Sequence, residues 1–254
     1  MFGDTAQSWV DPSDPLHLEF EYVQRVAEAL ELTVLARPVG ERVRVVHLGG
    51  AGMTIPRWVS VRRPHTAQVV CEPDVELTEE VRRLVPLPAA SGIKVRAVDG
   101  RSGVAAMPDD WLDALVVDAF DGSSVPGDLV TEEFWAEAAR VARPGAVVIA
   151  NITDRAPFGW AKRVVAGVRQ PFPNAVVSAE AAVWKGRRFG NVVVVASDAA
   201  LPVPGLEQRA HRAAFPYQLL SDRALHRWLG GAQPFTDADA TPSPAAPRGR
   251  SWFS

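Results

Sequence analysis

The stretch Val43–Met53, VRVVHLGGAGM, constrains the fold more than any other part of the chain. An apolar run ends there in a glycine-rich turn. About twenty residues on, a second run, Val69-Val70-Cys71, ends in Glu72, and a third, Val95–Val98, ends in Asp99-Gly100. An apolar strand, a glycine turn and an acid at the tip of the next strand form the nucleotide-binding pattern of an open α/β sheet. Gly49, Gly50 and Gly52 let the backbone approach a ligand and let the next helix pack close. Glu72 is placed to accept hydrogen bonds from two ribose hydroxyls. Asp99 can accept one from an adenine amino group, with Gly100 leaving room for the ring. The pattern implies a nucleoside-bearing ligand.

The rest of the chain supplies a sheet for this turn. Strands are predicted at 43–48, 67–72, 93–98, 114–118 and 145–151, the last after the turn Arg143-Pro144-Gly145. Helical spacing covers 17–36, 54–62, 75–84, 131–142, 160–170 and 216–229. Such alternation implies a parallel sheet with helices on both faces. Segments 175–180 and 191–196 read as two further strands. The link between them is too short for a crossover helix, so they are expected to be antiparallel. The expected fold is therefore α/β, Rossmann-like and of methyltransferase type: a seven-stranded, mostly parallel sheet with an antiparallel terminal hairpin. Residues 1–16 read as an extended arm, 17–232 as the nucleoside-binding domain, and 233–254 as an irregular tail with disordered last residues.

Composition removes several function classes. The 254 residues suffice for one large domain plus a small appendage, and 47% of them are apolar. A net charge of −3 offers no footprint for nucleic acid. The single cysteine, Cys71, excludes an intrachain disulfide and a cysteine-based zinc cluster, and reads as core filler. No run reaches the ~18 apolar residues needed to span a bilayer, and the N-terminus lacks the basic and apolar regions of a signal peptide. The cytoplasm is the expected compartment, with no membrane partner. Arg57, Arg62 and Arg63 read as a solvated helix face, and His47 as a strand residue without a role. The eight tryptophans are scattered, with no sign of an aromatic cage.

Asp118-Ala119-Phe120-Asp121 follows the fully apolar run Leu115-Val116-Val117. In open sheets the ligand crevice lies outside the carboxyl ends of the strands. Two carboxylates three residues apart can face a reacting centre there. One can orient a cationic amine while the other takes its proton as general base.

Taken together, these residues resemble the spermidine synthase (polyamine aminopropyltransferase) family, in its short actinobacterial-type form. The stretches that match are Gln7–Val10 with Asp14-Pro15, Leu48–Gly52, Cys71–Asp74, Asp99-Gly100, Val117–Asp121 and Phe235–Asp239, in the family's order. The resemblance implies transfer of the aminopropyl group of decarboxylated S-adenosylmethionine to an amine such as putrescine, with no tightly bound cofactor and no metal. It implies that Glu72 holds the ribose, Asp99 the adenine, and that Asp118 deprotonates the amine. Asp121 would help bind that amine and Gln7 would contact the sulfonium ligand. A homodimer is a further expectation.

The chain also departs from the family pattern. The family's glycine turn ends in an aspartate that pairs with the ammonium of the aminopropyl group, and here that position is Gly52. A charge-assisted bond of this kind is worth roughly 1.5–3 kcal/mol. His17, Glu19 and Tyr22 do not match the family's Tyr-His-Glu-like motif in register. By the resemblance Gln7 would belong to the last strand of the family's small N-terminal β-domain, which is then expected to be almost absent. Two alternatives stay open: a methyltransferase using S-adenosylmethionine itself, whose carboxylate an aspartate at 52 would repel, and a non-catalytic nucleoside-binding relative.

Overall fold

A computed structural model describes residues 8–50, 52–215 and 217–245. The first half alternates regularly: α1 Glu21–Leu32, β1 Arg44–Leu48, α2 Thr54–Arg62, β2 Ala67–Cys71, α3 Val75–Leu84, β3 Ile93–Arg96, α4 Gly100–Ala105 and β4 Leu112–Val117. The second half holds α5 Glu132–Val141, β5 Ala142–Asp154, α6 Gly159–Val168, β6 Asn174–Glu180, α7 Ala181–Trp184, β7 Gly190–Ser197, α8 Val203–His211, β8 Tyr217–Leu220 and α9 Asp222–Leu229.

Among the described residues one eight-stranded sheet forms, in the order β3-β2-β1-β4-β5-β7-β6-β8. The pairs β1–β2, β1–β4, β2–β3 and β4–β5 are parallel. Strand β7 runs antiparallel to both β5 and β6. The Rossmann-like α/β fold and the antiparallel β6–β7 pair match the sequence reading, with one strand more than the seven expected. The added strand is β8, so the hairpin is not the end of the sheet. The spacing predicts a helix over 216–229. Instead Tyr217–Leu220 pairs with Val177–Glu180 as an edge strand, and only Asp222–Leu229 is helical. A run as short as Tyr217-Gln218-Leu219-Leu220 fits either period, and pairing with the edge of β6 decided the outcome.

The central strands are buried on both faces because helices cover both. Leu48, Leu115, Val117, Val148 and Ala150 meet Phe134, Trp135, Val164 and Val165 of α5 and α6. Val45, Ala114, Val116, Val147 and Ile149 meet Val26 and Leu30 of α1 and Trp58 of α2. Each such Val or Leu contributes about 1.5–3 kcal/mol on burial. The turn expected at Arg143-Pro144-Gly145 lies inside β5. Its register to β4 shifts between Leu112↔Ala142 and Ala114↔Val147, with Gly145 at φ +76°. The extra residues bulge out and the ladder resumes, so β5 is longer than the 145–151 expected.

Two further expectations are corrected. The sequence places Arg57 on a solvated face, yet it is only 5% exposed. Its guanidinium donates to the carbonyls of Gly52 (3.3 Å), Pro86 (3.1 Å) and Val85, which together supply the acceptors that water would offer. The scattered tryptophans also meet in part. Trp184 and Trp228 pack edge to face at 5.6 Å, with Phe158 against both. No helix among the described residues is long and apolar enough to cross a membrane.

The described residues after 232 hold neither helix nor strand, yet they are anchored as far as Ser243. Phe235 is buried and bridges to Thr131. Asp237 makes a two-pronged ion pair with Arg101 (2.7 and 2.5 Å), and Asp239 pairs with Arg163 at 2.5 Å. The expected disorder of the last residues concerns positions outside the described residues.

Candidate active site

The parallel strands bring the sequence-predicted acids to one edge of the sheet. Glu72, Asp99 and Asp118 stand just beyond the carboxyl ends of β2, β3 and β4. The glycine turn lies between them. Gly49 sits at φ +90°, and a Cβ there would collide with the carbonyl of Asp118. Its N–H donates to Cys71 O at 3.0 Å, while Asp118 N–H donates to Leu48 O at 2.9 Å. Glycine is therefore required both for the conformation and for the approach to β4.

Glu72 is half-buried and already ordered. Its Oε2 accepts the Gly50 N–H at 2.7 Å, and its Oε1 accepts the Asp74 N–H at 3.0 Å. These bonds hold the carboxylate in place at the tip of β2. Gly50 is close-packed here, since a Cβ would lie 2.9 Å from Glu72 Cβ.

Asp99 is exposed and caps α4, accepting the Ser102 N–H at 2.7 Å. The hydrogen bonds from Ser102 hold its pKa below the ordinary carboxylate value. The glycine after it serves packing as well as access. A Cβ on Gly100 would lie 3.1 Å from Leu48 Cδ1 and 3.2 Å from Leu129 Cδ2.

Asp118 is recessed, and Asn151 of β5 donates from Nδ2 to its Oδ1 at 2.9 Å. Burial pushes the Asp118 carboxyl up to about 6, and the Asn151 bond opposes that rise. Asn151 is 1% exposed, and its Oδ1 has no hydrogen-bond partner among the described residues. Tyr22 of α1 lies near enough to Asp118 to feel its charge. Its hydroxyl is held well above the usual phenol value, first by burial and then by the negative charge of Asp118. Asp121 is exposed three residues on, in a turn closed by Asp121 N–H to Ser124 O (2.9 Å) and Ser124 N–H to Asp121 O (3.1 Å).

The N-terminal arm reaches this edge too. Ser8 Oγ accepts the Gly52 N–H at 3.2 Å and lies 3.1 Å from Thr54 Oγ1, which donates to Trp9 O at 2.8 Å. Gln7 and Ala51 lie outside the described residues.

Asn151, Arg57 and Ser243 are the residues that sequence reasoning missed. Asn151 had a signal, being the one polar residue in the apolar run Ala146–Ile152. Ser243 had none. It is buried, accepts the Val125 N–H at 2.9 Å, donates its own N–H to Val125 O at 3.0 Å, and lies 3.1 Å from Thr153 Oγ1. It thereby ties the loop after β4 to the end of β5. A cleft of about 340 Å³ lined by Leu32, Arg37, Gly145, Ser197 and Pro202 opens at the other end of the sheet, away from these acids. Chemistry, rather than concavity, picks out the site.

No family model matches the chain. A polyamine aminopropyltransferase from Vibrio vulnificus is 26% identical over 153 residues, covering 59% of this chain and 49% of that protein. The match therefore spans about half the length of that relative. A solved structure described as a probable spermidine synthase from Corynebacterium glutamicum is 27% identical. It superposes with a TM-score of 0.82 over 89% of this chain and 84% of its own. Human methyltransferase-like protein 13, solved with SAH, shares the fold at TM-score 0.60 and 20% identity, over 86% and 96% of the two chains.

Proposed function

Because this chain is spermidine synthase-like in sequence and fold, we propose that it transfers an aminopropyl group from decarboxylated S-adenosylmethionine to an amine such as putrescine. The observation that carries this reading is Asp118. It is a recessed carboxylate just beyond the carboxyl end of the fourth strand, beside the glycine turn, and Asn151 donates to it.

The chemistry needs such a group. At neutral pH the acceptor amine is protonated and has no lone pair to use. Asp118, with its pKa near 6, is ionised at pH 7 and is a stronger base than an exposed aspartate. Once the proton has moved to Asp118, the nitrogen lone pair attacks the methylene carbon attached to sulfur. The C–S bond breaks, its electron pair stays on sulfur, and methylthioadenosine leaves as a neutral thioether. In this reading Glu72 holds the ribose and Asp99 the adenine amino group over the turn Gly49-Gly50. Asp121 and Gln7 contribute to the amine and sulfonium sides.

One observation favours a second reading, methyl transfer from S-adenosylmethionine itself. Gly52 carries no carboxylate for an aminopropyl ammonium. The Arg57 guanidinium donates to the Gly52 carbonyl and sets a positive charge behind the turn. Such surroundings suit a donor tail bearing a carboxylate better than one bearing only an ammonium.

The test is single-turnover transfer with each donor in turn and putrescine, cadaverine, spermidine and agmatine as acceptors. Mass spectrometry distinguishes an aminopropyl gain from a methyl gain. Aminopropylated product supports the first reading and methylated product the second. No transfer with either donor would remove both.

A further inference from the structure

Arg101 stands in the first turn of α4, two residues after Asp99, which caps that helix through the Ser102 N–H. Its Nη1 donates to Asp128 O at 3.1 Å, in the loop that runs from β4 to α5. Nη1 and Nη2 also grip the two carboxylate oxygens of Asp237, at 2.7 and 2.5 Å. This grip holds the Asp237 carboxyl below its ordinary value. The Asp237 N–H donates to Glu133 Oε2 at 3.0 Å, in the first turn of α5. The loop is packed against both of its neighbours as well. A Cβ on Gly127 would stand 2.8 Å from the carbonyl carbon of Thr241, and one on Gly100 would stand 3.2 Å from Leu129 Cδ2. The loop that carries Asp121 is thus fastened to the helix that Asp99 caps and to the segment after 232. Arg101 is the side chain that joins all three.

We propose that Arg101 is a positioning residue that transmits nucleoside binding at Asp99 to the loop carrying Asp121. This rests on the transfer reading above, in which Asp99 takes the adenine and Asp121 the amine. A guanidinium suits the joint, because its rigid fork binds a carboxylate with two parallel bonds and keeps further donors for a carbonyl. A lysine would bring a point charge without a fixed direction. The Arg101 and Asp237 side chains are 33% and 44% exposed, and exposed pairs contribute little to global stability. The joint can therefore be cut without unfolding the sheet. Asp118 follows β4, which is held by its ladders to β1 and β5 rather than by this joint. Cutting the joint should weaken capture of the amine and spare the proton transfer.

Arg101→Met and Asp237→Asn each cut it. Hydrogen exchange of the loop amides at 121–130 is followed with and without methylthioadenosine. The KM and kcat for putrescine are measured in transfer from decarboxylated S-adenosylmethionine. In the wild type methylthioadenosine should slow exchange in the loop. In both variants that slowing should shrink about two- to fivefold, and KM should rise by a similar factor with kcat within about twofold. Melting temperatures should stay within about 4 °C. Arg101→Lys, which keeps the charge without the fork, should fall between the wild type and Arg101→Met. A wild-type KM and a wild-type exchange response in Arg101→Met overturn the role of Arg101 and leave the transfer reading intact. A wild type that alkylates no amine, while the exchange response still collapses in the variants, overturns the transfer reading and leaves the role of Arg101 standing.

Discussion

Ser8 Oγ occupies the space that a side chain on Gly52 would need. A Cβ built on Gly52 overlaps that oxygen and lies 2.9 Å from Val10 Cγ2. The missing carboxylate and the packed arm are thus one structural fact. Gly52→Ala should displace residues 8–10 and break the Gly52 N–H bond to Ser8. Overpacking of this kind typically costs about 1–3 kcal/mol, less here because an arm can move aside. Hydrogen exchange at Trp9 and Val10 should quicken. Gly52→Asp should in addition shift donor preference toward decarboxylated S-adenosylmethionine by about ten- to a hundredfold, the worth of a charge-assisted bond. Equal donor preference in Gly52→Asp and the wild type would separate this position from donor selection.

Glu72→Ala should weaken methylthioadenosine binding by about tenfold or more, because charge-assisted bonds to ribose hydroxyls are about twice as strong as neutral ones. The same change orphans the Gly50 and Asp74 N–H groups. Calorimetry should therefore be accompanied by a thermal melt, so that a lost ligand contact is told apart from a loosened turn. Unchanged affinity in a folded variant would remove Glu72 from the ribose site.

Asp118 makes stability and activity depend on pH in opposite directions. Its folded pKa of about 6 lies above the ordinary 3.8 because burial penalises the charge. The stability contributed by the neutral form is present below about pH 4 and is lost as pH rises through 6. Asp118→Asn should then be more stable than the wild type at pH 7–8, by up to about 3 kcal/mol at 1.36 kcal/mol per unit, with no advantage near pH 3. Transfer should instead require the ionised form and decline below about pH 6. In Asp118→Asn it should fall about 10²–10⁴-fold with thioether binding little changed. Denaturant melts at pH 3 and pH 8 check the first part, and a pH–rate profile the second. A variant as active as the wild type would place the base elsewhere.

Ser243 should matter far beyond its own place in the chain. Ser243→Ala leaves the buried Val125 N–H without its side-chain acceptor, at a cost of about 1–3 kcal/mol. Exchange of amides in the loop that carries Asp121 should speed up, while those of β1 and β2 should not. Uniform protection in the variant would show that the tail does not hold that loop.

The gathering of Glu72, Asp99 and Asp118 at one edge of the sheet was legible because its signals are local. An apolar run, a glycine turn and a terminal acid lie within a few residues of one another, and parallel strands necessarily bring such acids to one edge. The register of β1 with β2 and β4 carries that through to Glu72 and Asp118. Helix α4 was not legible. It has six residues, two of them glycine, and it stands on the Asp99 cap and on packing against Leu48 and Leu129 rather than on propensity.

The surroundings of Asp118 depended on contacts between residues distant in the chain. Nothing near Asn151 in sequence announces Asp118, 33 positions away. Nothing near Ser243 announces Val125, 118 positions away. The sequence by itself determined the alternating strands and most of the helices of the first half, the edge at which the acids gather and the absence of a carboxylate at position 52. Only the tertiary structure decided that β8 would extend the sheet, that Arg57 would be buried on three carbonyls and that Asp118 would sit dry enough to titrate near 6. Periodicity and turn chemistry act over a few residues, whereas desolvation and the pairing of buried polar groups depend on which distant segments close over them.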